Sequence, residues 1–506
     1  MSTFVDEVIR SAEKVPDKVC LISGEERQLR YRDLLYASGA VQTLLGDVKG
    51  KRVLIAAKRK EDFLKSFLAV MGAGGAVVPL DNFSLDGATF LIQDAEISTV
   101  LFAGDTLSKE LVDGLQSGNP ELDVIELDRA GNGTEDSPLQ SHADPDSPGL
   151  FLYTSGTSGR RKGVVLSNRA FLAPAKNVNP AMGYTGEEVE YICGDFTHAF
   201  AIGRMRCLLP VGATAVVDDG PFIANQVINS VKRFQCDAIS SPASSFIILE
   251  RMHREAFRDL AGQIRVIKMA SQGVPVEIKR CLMEDFPDTL IFQNYGLSES
   301  QRVTLLEFHR DEKYLESSGR PLAGNEVRIL DEEGNEVPTG TVGRISVASG
   351  ALMTCYWKRE DLTKNRLRNG WIVTDDLGQL NEEGFLTFCG RADEVLNIGG
   401  LKVSPLEIEE LVSGYLPDHE FCVCGIDDPG GMLGQVPALV VREGEEPLEP
   451  WKGWPAIRLK LAKTKPTIPI PKFAFKTGEI PKTANGKVKR KALQEMIAEF
   501  TANRDS

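Results

Sequence analysis

The chain has 506 residues, 42% of them hydrophobic and 26% charged, an ordinary composition for a globular protein with two to four domains or subdomains. Its formal net charge of −14 argues against a nucleic-acid partner, because an acidic surface repels a phosphate backbone. The nine cysteines include no C-x-x-C pair, which disfavours both a disulfide framework and a zinc site.

The N-terminal residues contain neither the basic segment nor the apolar segment of a secretory signal. The most apolar stretch, Phe67 to Leu80, is interrupted by glycines and is shorter than the ~20 residues that cross a bilayer. We therefore expect a soluble, cytoplasmic protein without a membrane span.

The first part of the chain alternates predicted strands with predicted helices. Apolar runs predict strands at 53–57, 76–80 and 99–102, and an amphipathic pattern predicts a helix at 62–71. This spacing is typical of parallel strands joined by crossover helices. The same pattern recurs over 186–295, with strands predicted at 213–217, 238–240, 264–267 and 290–292. We expect an α/β sheet protein here.

The pattern changes after about residue 318. Short strands are predicted at 325–330, 343–348 and 385–389, joined by turn signals, and they indicate a small β-rich unit. The last 110 residues, roughly, predict a compact α+β domain. Its elements are a helix at 405–413, strands at 420–425 and 438–442, and a helix near 454–462.

The strongest motif is the segment 153–163, which follows an apolar strand end. It holds four Ser or Thr hydroxyls, three glycines and three cations within eleven residues. Glycines allow backbone N–H groups to curl around an anion, while hydroxyls and cations add further donors. The segment does not match a Walker A loop, yet it has the groups that a polyphosphate requires.

This segment resembles the phosphate loop of the adenylate-forming superfamily of acyl-CoA synthetases, peptide-synthetase adenylation domains and luciferases. Within this superfamily, the chain most resembles the acyl- or aryl-CoA ligases. It implies that ATP phosphates bind to the following residues: Thr154, Ser155, Gly156, Thr157, Ser158, Gly159 and Lys162. Arg161 stands where the family usually has proline, so the loop is expected to be less stiff.

Two further motifs match the family's nucleotide-binding segments. The segment 294–299 implies that Tyr295 lies against adenine, that Ser298 lies near the phosphates, and that Glu299 is a catalytic residue that binds Mg²⁺. The segment 370–378 implies that Asp376 binds the ribose hydroxyls. Asp375 replaces a family glycine there and places a second negative charge near the nucleotide.

The C-terminal motifs concern the second domain and its movement. The resemblance implies that Arg391 contacts ribose or phosphate and that Asp393 is the hinge. Gly399 and Gly400 then line the tunnel of the incoming thiol, and Asn397 stands where many members have lysine. In 481–490, Lys487 is the implied catalytic lysine, because a cation stabilises the charge that develops at the α-phosphate. The remaining basic residues there are expected to be solvated: Lys482, Lys489, Arg490 and Lys491.

Two weaker segments concern the acid. His198, assigned a catalytic role, and Phe200 resemble the family's acyl-pocket segment, and so do Ser271, Gln272 and Gly273, with Gln272 replacing a glycine. Ala199 and Ala201 occupy the positions where amino-acid activators usually place an aspartate, which favours a plain carboxylic acid. Arg204 and Arg206 are expected either to bind a second carboxylate of the substrate or to be solvated.

The implied fold is α/β, with a large N-terminal domain (1–391) of two α/β sheets and a small β-barrel. A mobile α+β C-terminal domain (392–506) follows, and the resemblance places ATP in the cleft between them. The implied reaction joins a carboxylic acid to AMP, with Mg²⁺, and then passes the acyl group to CoA.

Two alternatives stay open at this point. The thiol acceptor is either CoA or the phosphopantetheine arm of an acyl or peptidyl carrier protein. An alternative from another class is a non-catalytic nucleotide-binding protein on the same scaffold, which the changes at Arg161, Asp375, Gln272 and Asn397 keep open.

Overall fold

The computed structural model describes most of the chain. The described residues are 2–24, 27–104, 106–131, 133–134, 137–155, 161–220, 222–270, 273–399, 401–417, 419–429, 433–445, 447–464, 469–483 and 488–502, with backbone alone at Ser155, Lys402 and Thr464. They divide into two compact units. The first unit comprises Met1–Leu315, Gly319–Val327 and Val347–Ile372, and the second comprises Glu316–Ser318, Arg328–Ser346 and Val373–Ser506.

The α-helices among the described residues are α1 (Phe4–Lys14), α2 (Tyr31–Leu45), α3 (Lys60–Gly72), α4 (Leu85–Ala95), α5 (Lys109–Gly118), α6 (Asn168–Met182), α7 (Ala199–Leu208), α8 (Ala224–Arg233), α9 (Ala243–Met252), α10 (Arg254–Arg258), α11 (Val276–Asp285), α12 (Glu360–Arg366), α13 (Pro405–Ser413), α14 (Trp454–Thr464) and α15 (Arg490–Ala502). Within the described ranges, no helix is both long enough and apolar enough for a membrane crossing.

The strands of the first half are β1 (Val19–Ser23), β2 (Arg27–Arg30), β3 (Arg52–Ala56), β4 (Ala76–Pro79), β5 (Thr99–Phe102), β6 (Asp123–Glu126), β7 (Pro148–Ser155), β8 (Arg161–Ser167), β9 (Val189–Ile192), β10 (Thr214–Val217), β11 (Ala238–Pro242), β12 (Val266–Ala270), β13 (Leu290–Tyr295) and β14 (Thr304–Glu307). The remaining strands are β15 (Arg320–Pro321), β16 (Asn325–Leu330), β17 (Gly343–Ser349), β18 (Cys355–Tyr356), β19 (Leu367–Arg368), β20 (Trp371–Leu380), β21 (Leu386–Arg391), β22 (Leu396–Ile398), β23 (Leu401–Val403), β24 (Phe421–Asp427), β25 (Gln435–Arg442), β26 (Glu449–Pro450) and β27 (Phe473–Thr477).

The first unit contains two large, mainly parallel sheets. One has seven strands in the order β18-β8-β7-β4-β3-β5-β6, and the other has nine in the order β15-β14-β13-β12-β11-β9-β10-β1-β2. The pairs β3/β4 and β3/β5 are parallel, as are β11/β12 and β12/β13. The predicted parallel crossover units, and with them the α/β fold class, are confirmed.

Continuous apolar runs explain why these strands lie at the sheet centres. Val53, Leu54 and Ile55 of β3 are fully buried, and so are Val77 and Val78 of β4. A parallel strand covered by helices on both faces has no solvated side, so it lacks the alternation of an exposed sheet.

The predicted β-rich region forms a five-stranded sheet, in the order β16-β17-β20-β19 with β21 paired to β20. The α+β C-terminal part has a four-stranded sheet in the order β24-β25-β27-β26. Its core includes Ile408, Val423, Leu439 and Trp454. The large N-terminal and small C-terminal parts of the predicted fold are therefore present, and the boundary at residues 391 and 392 stays a prediction.

Candidate active site

The predicted phosphate loop joins two antiparallel strands. Thr154 of β7 is paired with Lys162 of β8, and Ser155 with Arg161. The residues that connect the two strands, 156–160, lie outside the described residues, and they include the predicted ligands Gly156, Thr157, Ser158 and Gly159. The pairing brings the backbones of Thr154 and Lys162 together at the strand ends, where both residues are half-buried.

The two described cations of this segment have different surroundings. The Arg161 guanidinium lies 2.5 Å from the Asp81 carboxylate and 5.7 Å from the centre of the Tyr153 ring, so its charge is already paired. Lys162 forms no ion pair with the described residues, and its ammonium lies 5.8 Å from the Tyr356 ring centre. Of these two described cations, Lys162 rather than Arg161 is available to an anion.

The second nucleotide motif is a tight turn at the carboxyl end of β13. A Cβ atom on Gly296 would lie 1.6 Å from the backbone oxygen of Gln301, so only glycine fits there. Gln301 donates its backbone N–H to Leu297 at 2.7 Å and has a φ of 59°. The turn leaves Tyr295, Ser298 and Glu299 half-buried at the end of the strand, which is where parallel sheets usually bind ligands.

Tyr356 connects these two motifs, and sequence reasoning missed it. Its hydroxyl donates a 2.8 Å hydrogen bond to the Glu299 carboxylate, and its ring contacts Lys162. The short strand β18 positions it, with Tyr356 paired with Val164 of β8. No local motif marks Tyr356 in the sequence, because its role depends on the pairing of strands far apart in the chain.

Glu299 fits the predicted Mg²⁺ role. The Tyr356 hydroxyl binds one oxygen of the Glu299 carboxylate. Among the described residues, Glu299 is not part of any cluster of three or more His, Cys, Asp or Glu side chains that could hold a metal by themselves. Mg²⁺ is commonly held by one or two carboxylates together with water and substrate phosphates, so a lone carboxylate suits a metal that arrives with ATP.

Asp376 and Arg391 lie opposite each other in the antiparallel pair β20/β21 of the second unit. An Arg391 Nη1 atom lies 3.6 Å from Asp376 Oδ1, and the Asp376 side chain is buried. Although burial lowers the pKa of Arg391, the hydrogen bond and charge of Asp393 and the charges of Asp376 and Asp375 raise it overall. The guanidinium is therefore firmly protonated beside the predicted ribose ligand.

Asp375 does not leave an uncompensated charge in the second unit. Its carboxylate lies 3.6 Å from Arg391 and 3.4 Å from Arg344. The negative charge that Asp375 adds, at a position where the family has glycine, is thus balanced by two guanidinium groups.

The predicted acid-pocket residues are described only in part. His198 precedes the first residue of α7, and His198 and Phe200 are half-buried. Gly273 is described and follows β12 closely, whereas Ser271 and Gln272 lie outside the described residues. The loop before His198 is held by Asp195, which accepts a 2.9 Å hydrogen bond from Lys60.

Of the two alternatives for Arg204 and Arg206, solvation is wrong, and the structure does not test binding of a second carboxylate. Both belong to α7, with exposed fractions of 0% and 1%. The helix α7 packs into the interior instead of lying on the surface, so the basic side chains are enclosed together with its apolar ones.

Only some of the remaining predicted C-terminal residues are described. Asp393 is exposed and contacts Arg391 at 2.9 Å. Gly399 has a φ of 59° and donates its N–H to Leu433, whereas Gly400 and Lys487 lie outside the described residues. No described contact decides the predicted roles of Asp393 and Gly399.

The expected solvation is wrong for Arg490, whereas Lys482 is exposed as expected. Arg490 binds both oxygens of Glu409, at 2.7 and 2.9 Å, and one oxygen of Glu394 at 2.9 Å. Lys482 forms an ion pair with Glu420. Arg490 thus joins α15 to α13 and to the segment before β22.

Comparison with known proteins places the chain in a family. It matches the family described as AMP-binding enzyme over residues 8–357. The 2-succinylbenzoate–CoA ligase of Bacillus velezensis is 27% identical over 501 residues, which cover 97% of each protein. Bacitracin synthase 1 of Bacillus licheniformis is 26% identical over 502 residues, which are 96% of this chain but 9% of that protein.

A solved structure shares the fold. The o-succinylbenzoate CoA synthetase of Bacillus subtilis, in complex with its acyl-adenylate intermediate, superposes with a TM-score of 0.82 at 23% identity, covering 96% of this chain and 97% of that one. The resemblance seen in the motifs is confirmed. Because the family match extends over more than half of the sequence, this chain belongs to the AMP-binding enzyme family.

Proposed function

We propose that this protein uses ATP to activate a carboxylic acid as an acyl-adenylate and then transfers the acyl group to the thiol of CoA. The observation that carries the proposal is the arrangement of Lys162 and Glu299 around Tyr356, beside the hydroxyl- and glycine-rich connection between β7 and β8. A free cation and a lone carboxylate at this place suit a nucleoside triphosphate and its metal. The ligase of Bacillus velezensis, similar over 97% of both chains, supports acid–CoA ligation.

The reaction proceeds in two balanced steps. In the first, a carboxylate oxygen of the acid attacks the α-phosphorus of ATP, a new P–O bond forms, and the bond to the bridging oxygen breaks to release pyrophosphate. In the second, the thiolate of CoA attacks the acyl carbon, the thioester forms, and AMP leaves. The thiol proton passes to solvent.

The residues of the first unit act on the phosphates and on the acid. Lys162 and the donors of Thr154 and Ser155 bind the departing phosphates, and Ser298 lies near them. Tyr295 lies against adenine. Tyr356 orients the Glu299 carboxylate, and a Mg²⁺ ion held there would neutralise phosphate charge. Such positioned charges are worth most where water is excluded.

In this proposal the second unit supplies the groups that bind the ribose of the nucleotide, and it also supplies the catalytic lysine, Lys487. Asp376 accepts hydrogen bonds from the ribose hydroxyls, and Arg391, firmly protonated, keeps it oriented. Lys487 stabilises the charge that develops at the α-phosphate. We retain Asp393 as the hinge between a domain of residues 1–391 and one of 392–506, and Gly399 and Gly400 as the lining of the thiol path.

A carrier-protein thiol is the second candidate acceptor. The similarity to bacitracin synthase 1 covers 96% of this chain and only 9% of that protein, so the shared part is one module of a larger protein. A free-standing module of this kind would charge the phosphopantetheine arm of a separate partner.

The test is isotope exchange between pyrophosphate and ATP, measured for a panel of aliphatic, aromatic and dicarboxylic acids without any thiol. Acid-dependent exchange is the expected result, because the first step is reversible and needs no acceptor. CoA and a phosphopantetheinylated carrier protein are then compared as acceptors of the acyl group. Nucleotide binding without exchange for any acid would contradict the proposal and favour a non-catalytic nucleotide-binding protein.

A further inference from the structure

Four basic side chains are buried together in the first unit and are called the basic cluster here: Arg204, Arg206, Lys268 and Arg302. Their exposed fractions are 0%, 1%, 0% and 6%. Among the described residues, the only carboxylate that forms an ion pair with the basic cluster is Glu190. The cluster therefore has a large excess of positive charge in the protein interior.

Four donor nitrogens of the basic cluster have no hydrogen-bond partner among the described residues. Arg204 binds both oxygens of Glu190, at 2.6 and 2.7 Å, but its Nη1 atom has no hydrogen-bond partner among the described residues. The same is true of Nε and Nη2 of Arg206 and of the Lys268 ammonium. Buried donors without acceptors are rare, because each gives up its hydrogen bonds to water without replacing them, and the loss is greater for a charged group.

The pKa values of three residues in the basic cluster are lowered as well. Burial, followed by the charges of Arg206 and Arg204, lowers the pKa of Arg302 to about 9. Burial also lowers the pKa of Arg206 to about 10, and burial with the charges of Arg302 and Arg204 lowers that of Lys268 well below its usual value. The protein alone does not stabilise the charged forms of these groups, and a buried anion would do so.

Two guanidinium groups of the basic cluster approach each other at Gly203. A Cβ atom on Gly203 would lie 3.3 Å from Nη2 of Arg302 and 3.5 Å from Nη2 of Arg206, so the absence of a side chain lets both groups approach the backbone of α7 closely. The Phe200 ring contacts two cations of the cluster, with its centre 4.9 Å from the Lys268 ammonium and 5.5 Å from the Arg302 guanidinium.

The basic cluster is connected to the predicted acid-pocket residues along the chain and through Phe200. Arg204 and Arg206 belong to α7, which begins just after His198 and contains Phe200. Lys268 belongs to β12, which ends at Ala270, immediately before the predicted pocket segment 271–273. Phe200, a predicted pocket residue, is half-buried and contacts both Lys268 and Arg302.

We propose that the acid this protein activates is a dicarboxylic acid, whose second carboxylate binds the basic cluster beside Gly203 and beneath Phe200. The proposal rests on the acid activation proposed above and specifies its substrate class. One carboxylate is presented to ATP, and the other accepts hydrogen bonds from Lys268, Arg206 and Arg302. The distance between the two carboxylates is set by the path past Phe200.

The test compares diacids with monoacids of equal length in the wild type and in Lys268→Met. Exchange of pyrophosphate into ATP is measured for malonate to adipate and for phthalate isomers, each against its monocarboxylic counterpart. Thermal stability is measured with and without each acid. Lys279→Met is the matched control, because Lys279 is also buried in this unit but donates a 2.5 Å hydrogen bond to the Leu315 oxygen.

The expected result has two parts. Lys268→Met lowers kcat/KM for the preferred diacid, relative to that for its monoacid, by at least about 30-fold, as expected for the loss of one partner of a buried charge pair. The same variant is as stable as the wild type or more stable, because an apolar side chain of similar size replaces a buried amine that has no hydrogen-bond partner among the described residues. Lys279→Met leaves the ratio of diacid to monoacid unchanged.

The outcomes that overturn the proposal are distinct from failure of the proposed function. Activation of monoacids as efficiently as diacids overturns the diacid proposal while acid activation stands. If no acid supports exchange, the proposed function is contradicted. The thermal-stability measurement then shows whether a diacid binds at the basic cluster. A diacid that stabilises the wild type but not Lys268→Met supports the site, and equal stabilisation of both, or of neither, overturns it.

Discussion

At the residue scale, the contact between Glu299 and Tyr356 is the most specific feature of the proposed nucleotide site. We expect Glu299→Gln to lower the rate of acid-dependent pyrophosphate release by about 100-fold, because a neutral amide cannot replace a carboxylate that holds a metal beside the phosphates. The measurement is kcat for pyrophosphate release at saturating ATP.

Tyr356→Phe is the matched control for Glu299→Gln. It retains the carboxylate and removes only the 2.8 Å hydrogen bond that orients it, so we expect a smaller loss, about tenfold. A Glu299→Gln enzyme with wild-type kcat would remove Glu299 from the mechanism.

Gly296 gives a second prediction at this scale. A Cβ atom there would lie 1.6 Å from the Gln301 oxygen, so Gly296→Ala must displace the turn that holds Tyr295 and Glu299. We expect a loss of about 3 kcal/mol or more in the free energy of unfolding and weaker ATP binding. Denaturant unfolding and nucleotide titration measure the two effects.

Gly262→Ala is the control for Gly296→Ala. A Cβ atom on Gly262 would have no neighbour within 4 Å, so the same substitution should have little effect on stability or on ATP binding. Equal effects of the two substitutions would show that the close approach at Gly296 is unimportant.

At the element scale, three helices meet around a buried carboxylate. Glu250 of α9 lies 3.0 Å from Arg254 of α10, which also contacts Asp285 of α11. Burial, followed by the charge of Asp285, raises the pKa of Glu250 to about 7 despite the opposing charge of Arg254. The charge of Glu250 is therefore unfavourable in the folded protein near neutral pH.

The pH dependence of stability follows from this raised pKa. The folded state binds the Glu250 proton more tightly than the unfolded state does, so this group stabilises the fold below about pH 4.5, and that contribution is lost as pH rises to 7. We expect Glu250→Gln to be more stable than the wild type by roughly 2 kcal/mol at pH 8 and by much less at pH 5.

Unfolding by denaturant at both pH values tests the Glu250 prediction. The control is Glu255→Gln, which removes an exposed carboxylate from α10. A Glu250→Gln advantage that is the same at pH 5 and pH 8 would contradict the shifted titration.

Local signals account for the elements that could be predicted well. The helix predicted at 405–413 is α13, because Ser404 caps its N-terminus by accepting from the Leu406 N–H and Pro405 fits its first turn. The strand at 325–330 is likewise β16, bounded by turn signals on both sides. In both cases the determining groups lie within a few residues of the element.

Burial of charge could not be predicted in the same way. Arg206 and Arg490 have neighbours typical of solvated residues in the sequence, yet one is enclosed within α7 and its packing partners and the other binds Glu409 and Glu394. Tyr356 was missed for the same reason, because its contact with Glu299 depends on the pairing of β18 with β8. Such contacts are created only when distant segments fold together.

At the scale of the whole molecule, the family match and the order of motifs predict one reaction cycle that uses both units. Lys487 lies outside the described residues, and its role is a prediction from the motif at 481–490. We expect Lys487→Ala to abolish acyl-adenylate formation, because it removes the cation at the α-phosphate, and to leave folding and ATP binding intact.

Lys489→Ala is the neighbouring control for Lys487→Ala, since it removes a lysine that the motif does not assign to catalysis. Isotope exchange, thermal unfolding and ATP titration are compared for the two variants. Unchanged exchange in Lys487→Ala would exclude this lysine from the first step.

The most direct test of the account is the fate of ATP when acid and CoA are supplied together. We predict that AMP, pyrophosphate and an acyl-CoA thioester form in equal amounts, that omission of the acid stops all three, and that CoA accelerates pyrophosphate release. ATP that binds without being consumed, whichever acid and thiol are present, would contradict the account.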